Sequence, residues 1–121
     1  MTLIFGGAFQ GKLTYAVQVL GVRDCRDCTS GLPASGRCLY HLEQFTRDCA
    51  LRGVNSWDRL CREFPDWPGA ILICRDIGSG IVPLGADNRL WREENGAFLR
   101  AAAAHADRVI RIFAGIPEVL K

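Results

Sequence analysis

Lysine is nearly absent from this chain. Of its 15 basic residues 13 are arginines, and the lysines are Lys12 and Lys121 alone. The basic residues form no tail or stripe and the net charge is only +2, which argues against a nucleic-acid surface. No apolar run approaches the roughly 18 residues a membrane span needs. The opening stretch, MTLIFGGAF, lacks the positive n-region of a secretory leader, so a cytoplasmic location is expected. Six cysteines in that compartment are expected to be thiols and not a disulfide framework. Histidine is scarce too, with His41 and His105 only. There is no internal repeat and no long low-complexity segment.

What is present is enough apolar residue, 49%, to build a core in one domain over residues 1–121. TLIF (2–5) reads as a buried strand ending at Gly6 and Gly7. Residues 11–20 read as a helix with Leu13, Ala16, Val17 and Leu20 on one face. Residues 21–36 read as a connector with a short strand near Val22, and 37–53 as one helix stopped by Gly53. A short helix over 56–64 is expected with Ser56 as N-cap, then a central strand AILIC (70–74) and a glycine-rich loop over 75–88. A long helix over 88–106, capped by Asp87 or Asn88, leads to a strand over 108–115, and PEVLK closes the chain. Strands alternating with helices imply an α/β fold with a mainly parallel sheet, whose ligands sit beyond the carboxyl ends of the strands.

Between the first strand and helix lies GGAFQGKLT. Gly6, Gly11 and Lys12 match the phosphate-loop pattern G-x-x-x-x-G-K-[ST]. In such a loop, backbone N–H groups cradle phosphate and the lysine binds its oxygens. Leu13 stands where a hydroxyl would hold magnesium. Thr14 does not replace it, because one helical step turns a side chain by about 100°.

Downstream come D-I-G-S-G-I-V-P, R-L-W-R-E-E-N-G (89–96) and A-D-R-V (106–109). With the loop, these motifs resemble the bifunctional adenosylcobinamide kinase / adenosylcobinamide-phosphate guanylyltransferase family of cobalamin biosynthesis. The resemblance covers roughly half of the chain in two blocks. It implies a trimmed P-loop NTPase, RecA-like, three-layer α/β fold. It also implies phosphoryl transfer from ATP or GTP, with Mg2+, to the aminopropanol arm of adenosylcobinamide, a corrinoid precursor, and self-association. On this resemblance Gly6, Gly7, Ala8, Phe9, Gln10, Gly11, Lys12, Leu13 and Thr14 bind nucleotide, and Lys12 and Asp76 are catalytic. Arg89 and Arg92, three apart on one helix face, are candidates for substrate or phosphate.

Four positions depart from the family pattern. Leu13 replaces the loop serine, and Tyr40 replaces an acid at a metal-binding strand end. The helix bearing the guanylylated histidine has no counterpart, and Leu99 replaces an asparagine. Guanylyl transfer is therefore not expected, and the alternative to a kinase is a catalytically degenerate nucleotide- or corrinoid-binding partner subunit.

Other features have readings of their own. Cys25, Cys28, Cys38 and His41 form C-x2-C-x9-C-x2-H, a spacing compatible with zinc, although the last two would share a helix needed for the core. Cys49, Cys61 and Cys74 read as small core residues, and Arg75 and Arg111 as surface. Trp57, Trp67 and Trp91 read as core or interface, and His105 as a helix C-terminal residue.

Overall fold

A computed structural model describes residues 1–8, 10–77 and 85–121. The first strand, β1 (Thr2–Gly6), is followed by α1 (Lys12–Gln18), β2 (Cys25–Asp27) and β3 (Cys38–Tyr40). Then come α2 (Leu42–Arg52), α3 (Ser56–Glu63), a 3-10 turn at Trp67–Gly69, β4 (Ile71–Arg75) and α4 (Ala86–His105). The chain closes with β5 (Arg108–Phe113) and β6 (Ile116–Val119). The strands form one sheet in the order β2-β3-β4-β1-β5-β6, parallel except for the antiparallel β5–β6 hairpin.

Strand alternation divides the core between the two sheet faces. Leu3, Leu39, Leu72, Cys74 and Val109 point to one cluster, which α2, α3 and α4 cover with Leu42, Phe45, Cys49, Leu60, Phe98 and Ala102. Ile4, Cys38, Ile73, Ile110 and Ile112 point to the other, which α1 covers with Ala16. The chain leaving β1 therefore turns to one face and the chain leaving β4 reaches the other. Since β1 and β4 are neighbours, a crevice opens between their carboxyl ends.

Several expected boundaries move. The helix read over 37–53 is a strand, β3, followed by a helix. Leu39 and Leu42 fall on opposite sides of that junction yet enter the same cluster. The short strand near Val22 lies instead at Cys25–Asp27. Asn55, not Ser56, caps α3, accepting the Asp58 amide at 3.0 Å, while Ser56 donates to Glu94 of α4 at 2.6 Å. Gly85 precedes α4, so Asp87 lies in its first turn and is not its cap. Residues 117–119, read as part of the closing PEVLK tail, belong to β6. In α1 only Ala16 is fully buried, and Val17 is exposed. Gly53 does stop α2: its φ is 67°, and the Val54 amide returns to the Cys49 carbonyl at 2.9 Å. Gly6 is fixed by crowding, because a Cβ there would lie 2.4 Å from the Ile112 carbonyl oxygen on β5.

Candidate functional site

The glycine loop bridges β1 and α1 at the carboxyl edge of the sheet. Gly11 takes a left-handed φ of 88°, which lets the chain enter α1 directly from the loop. The loop is fastened at two points. Lys12 Nζ donates to the Gly7 carbonyl at 2.7 Å, closing the loop from within. Gln10 fastens it from outside: its side-chain oxygen accepts the Ala114 amide, and its carbonyl accepts the Gly115 amide at 3.0 Å. Ala114 and Gly115, at φ 51° and 77°, form the turn of the β5–β6 hairpin. Phe9 and residues 78–84, which include Gly78, Gly80 and Pro83 of the expected downstream loop, lie outside the described residues.

A cavity of about 540 Å³ opens beside the loop. Ala8, Gln10, Gly11, Lys12, Leu13 and Thr14 form one wall. Tyr40 and His41 at the end of β3, Glu43 of α2, and Ile73 and Arg75 of β4 form the other. It is large enough for a polyphosphate or small ligand. Burial holds Lys12 below the usual ammonium range. The Glu43 carboxylate and, less strongly, Cys74 oppose that shift, and the Arg75 guanidinium adds to it.

Glu43 is only 7% exposed, although it lies in the first turn of α2. Its Oε1 accepts the Arg75 amide at 3.1 Å. The Arg75 carbonyl accepts Asn95 Nδ2 of α4 at 2.9 Å. Asn95 Oδ1 accepts the Thr46 hydroxyl at 2.7 Å, and Trp91 Nε1 donates to the Glu43 carbonyl at 2.9 Å. The last residue of β4 is thus held on both sides of its backbone by buried polar side chains from two helices. Among the described residues no buried side-chain polar atom lacks a partner.

The structure regroups the expected site. Lys12 faces Glu43 and Arg75, so Arg75 belongs to the cavity wall and not to a featureless surface. Asp76, whose amide donates to the Gly6 carbonyl at 2.8 Å, lines a neighbouring cavity with Gly6, Gly7, Ala8, Gln10, Arg111 and Glu118. Arg89 and Arg92 are exposed on α4 and line neither cavity. Trp91 joins α4 to α2, and Trp57 stacks on His105 with ring centroids 5.1 Å apart.

The cysteine–histidine spacing does not become a metal centre. Cys28 is buried in the cluster under α2, whereas Cys25 and Cys38 belong to the opposite face of the sheet. Among the described residues no group of three or more His, Cys, Asp or Glu side chains is placed to hold a metal ion. At the loop itself, Leu13 packs against the Ile4, Ala16 and Ile110 cluster, and Tyr40 closes β3 without a carboxylate. Positions 13 and 40 therefore offer magnesium neither a carboxylate nor a serine or threonine hydroxyl.

Glu43 was the residue hardest to find from sequence. Its one signal is an acid set between the apolar positions Leu42 and Phe45 at the mouth of a helix. A further group, Asp27, Thr29 and His41, meets at the same rim: His41 Nδ1 lies 3.0 Å from Asp27 Oδ1, which also accepts the Thr29 hydroxyl at 2.6 Å.

These features define an α/β protein with a six-stranded, mostly parallel sheet and a lysine-bearing glycine loop at its carboxyl edge. No protein-family model matches the chain, and no curated protein matches its sequence significantly. No helix among the described residues is long and apolar enough to cross a membrane.

Proposed function

We propose that this chain is a P-loop NTPase-like domain that binds ATP or GTP through Gly6–Thr14 and transfers a phosphoryl group to an acceptor hydroxyl. The observation that carries the reading is Lys12: one of two lysines in the chain, half-buried in the crevice, its ammonium group donating to a carbonyl of its own loop. An incoming phosphate would replace that carbonyl and offset the burial of the ammonium group. Loop amides and Lys12 would then counter charge on the transferring phosphoryl group. The motif resemblance supplies the acceptor class, a corrinoid precursor such as adenosylcobinamide, and the reading is an adenosylcobinamide kinase-like enzyme without guanylyl transfer.

Calorimetric titration with ATP and GTP, with and without magnesium, tests the binding. The Lys12→Ala variant is expected to bind at least about tenfold more weakly, a loss typical of one charge-assisted contact. Absence of binding to the unmodified chain at millimolar nucleotide would sink the proposal. The packing of Leu13 into the apolar cluster favours a second reading, a nucleotide- or corrinoid-binding partner subunit without turnover. Nucleotide binding combined with no phosphorylation of adenosylcobinamide would select it.

A further inference from the structure

His41 occupies a position that its backbone does not favour. It stands between β3 and α2 at φ 58° and ψ 35°, a left-handed conformation for a residue with a side chain. It does not use its side chain to cap α2. Instead the ring turns back to Asp27 of β2, with Nδ1 3.0 Å from Oδ1 and 3.3 Å from the Thr29 hydroxyl. Thr29 donates both its amide, at 2.9 Å, and its hydroxyl, at 2.6 Å, to the same Asp27 oxygen. The carboxylate is thereby pinned. Hydrogen bonds from Thr29, and then from His41, hold its pKa below the usual carboxylate range despite slight desolvation. Tyr40 flanks the ring, centroids 4.6 Å apart. With the Thr29 hydroxyl committed to Asp27, the bonding pattern places the proton on Nδ1 and leaves Nε2 as the unprotonated ring nitrogen. His41 lines the cavity that holds Lys12.

We infer that His41 is the general base of this cavity and that Asp27 is the positioning residue that fixes its tautomer. The inference rests on the nucleotide reading above. It gives strained backbone at a cavity rim a use, because strain of this kind persists where surrounding contacts impose it. In the step, Nε2 takes the proton of an acceptor O–H as that oxygen bonds to the γ-phosphorus of the nucleoside triphosphate. The bond from that phosphorus to the β–γ bridging oxygen breaks, and its electron pair leaves on the nucleoside diphosphate. The imidazolium then returns its proton to solvent. The titratable and charged groups around the cavity are Asp27 of β2, Tyr40 of β3, Glu43 of α2, Lys12 of α1 and Arg75 of β4.

The test uses the whole chain and water as the acceptor, reading phosphate release from ATP and GTP across pH, with nucleotide affinity measured separately. His41→Asn suits the backbone, since asparagine tolerates the left-handed region. It is expected to lower kcat about 100-fold and to abolish the fall of kcat/KM on the acid side, with nucleotide Kd unchanged. Asp27→Asn is expected to lower kcat about tenfold, again with Kd unchanged. Circular dichroism verifies that both variants fold. A His41→Asn variant with wild-type kcat and an intact acid limb overturns the inference. So does a wild-type chain that binds nucleotide yet releases no phosphate. Failure of the wild-type chain to bind nucleotide at all would instead remove the reading beneath it.

Discussion

Glu43 performs two tasks that substitution can separate. As an acceptor it satisfies the Arg75 amide at 3.1 Å, and as a charge it faces Lys12. Glu43→Gln keeps a side-chain oxygen for the amide and removes the charge. Glu43→Ala removes both and leaves an N–H at the end of β4 without its acceptor. An orphaned buried donor costs about 1–3 kcal/mol. For a domain of this length 1 kcal/mol moves the melting temperature by about 4 °C, so the alanine variant should melt about 4–12 °C below the glutamine variant. The charge has its own signature. Burial already sets the Lys12 pKa in the folded chain below 10.5, and Glu43 opposes that shift. The folded state therefore binds fewer protons at Lys12 than the unfolded state as pH approaches 10.5 from below. Stability gains from this group as pH rises through that window. Glu43→Gln should extend the gain to lower pH. It should also tighten ATP binding, because it removes a negative charge from the phosphate cavity. Urea unfolding between pH 7 and pH 10 measures the effects on stability, and calorimetric titration measures the ATP affinity. Equal midpoints for the two variants at pH 7 would refute the clamp.

Leu13→Ser should cost about 1–2 kcal/mol in urea unfolding, since it withdraws a partly buried side chain from the α1 cluster. It should also make nucleotide affinity depend on magnesium in calorimetry, and unchanged magnesium dependence would contradict the assignment of position 13. Burial pushes the Cys28 thiol from 9.0 up to about 12. The folded state thus keeps a proton that the unfolded chain loses. This contribution is intact below pH 9 and is lost as pH rises from about 9 to about 12, at up to about 1.4 kcal/mol per unit. Cys28→Ala should flatten that alkaline slope, as thermal melts across the window would show.

The strands of the sheet centre and the loop between β1 and α1 were legible because their signals are local. TLIF and AILIC are continuous apolar runs, and the glycines around Lys12 mark a strand–helix junction. The edges of the sheet were not. β2 is Cys-Arg-Asp with two exposed residues, and β6 carries Pro117 and four exposed residues, so neither shows the alternation that marks a half-buried strand. β3 was hidden by a coincidence of period: Leu39 and Leu42 are spaced as on a helix, yet one points in from a strand and the other from the next helix. The zinc-like spacing failed for a related reason. Distance along the chain says nothing about which sheet face a cysteine takes, and Cys28 takes a different one from Cys25 and Cys38. The role of Glu43 was invisible because it is set by Arg75 and Trp91, which lie 32 and 48 residues further along the chain.

The tie between Gln10 and the hairpin turn has a consequence for how the loop can be watched. Ala114 and Gly115 sit at an exposed tip, where amides ordinarily exchange with solvent at nearly the rate of an open chain. Here both amides are occupied by Gln10. Their exchange can proceed only when Gln10 lets go, so two surface amides far along the chain keep a record of how often the glycine loop opens.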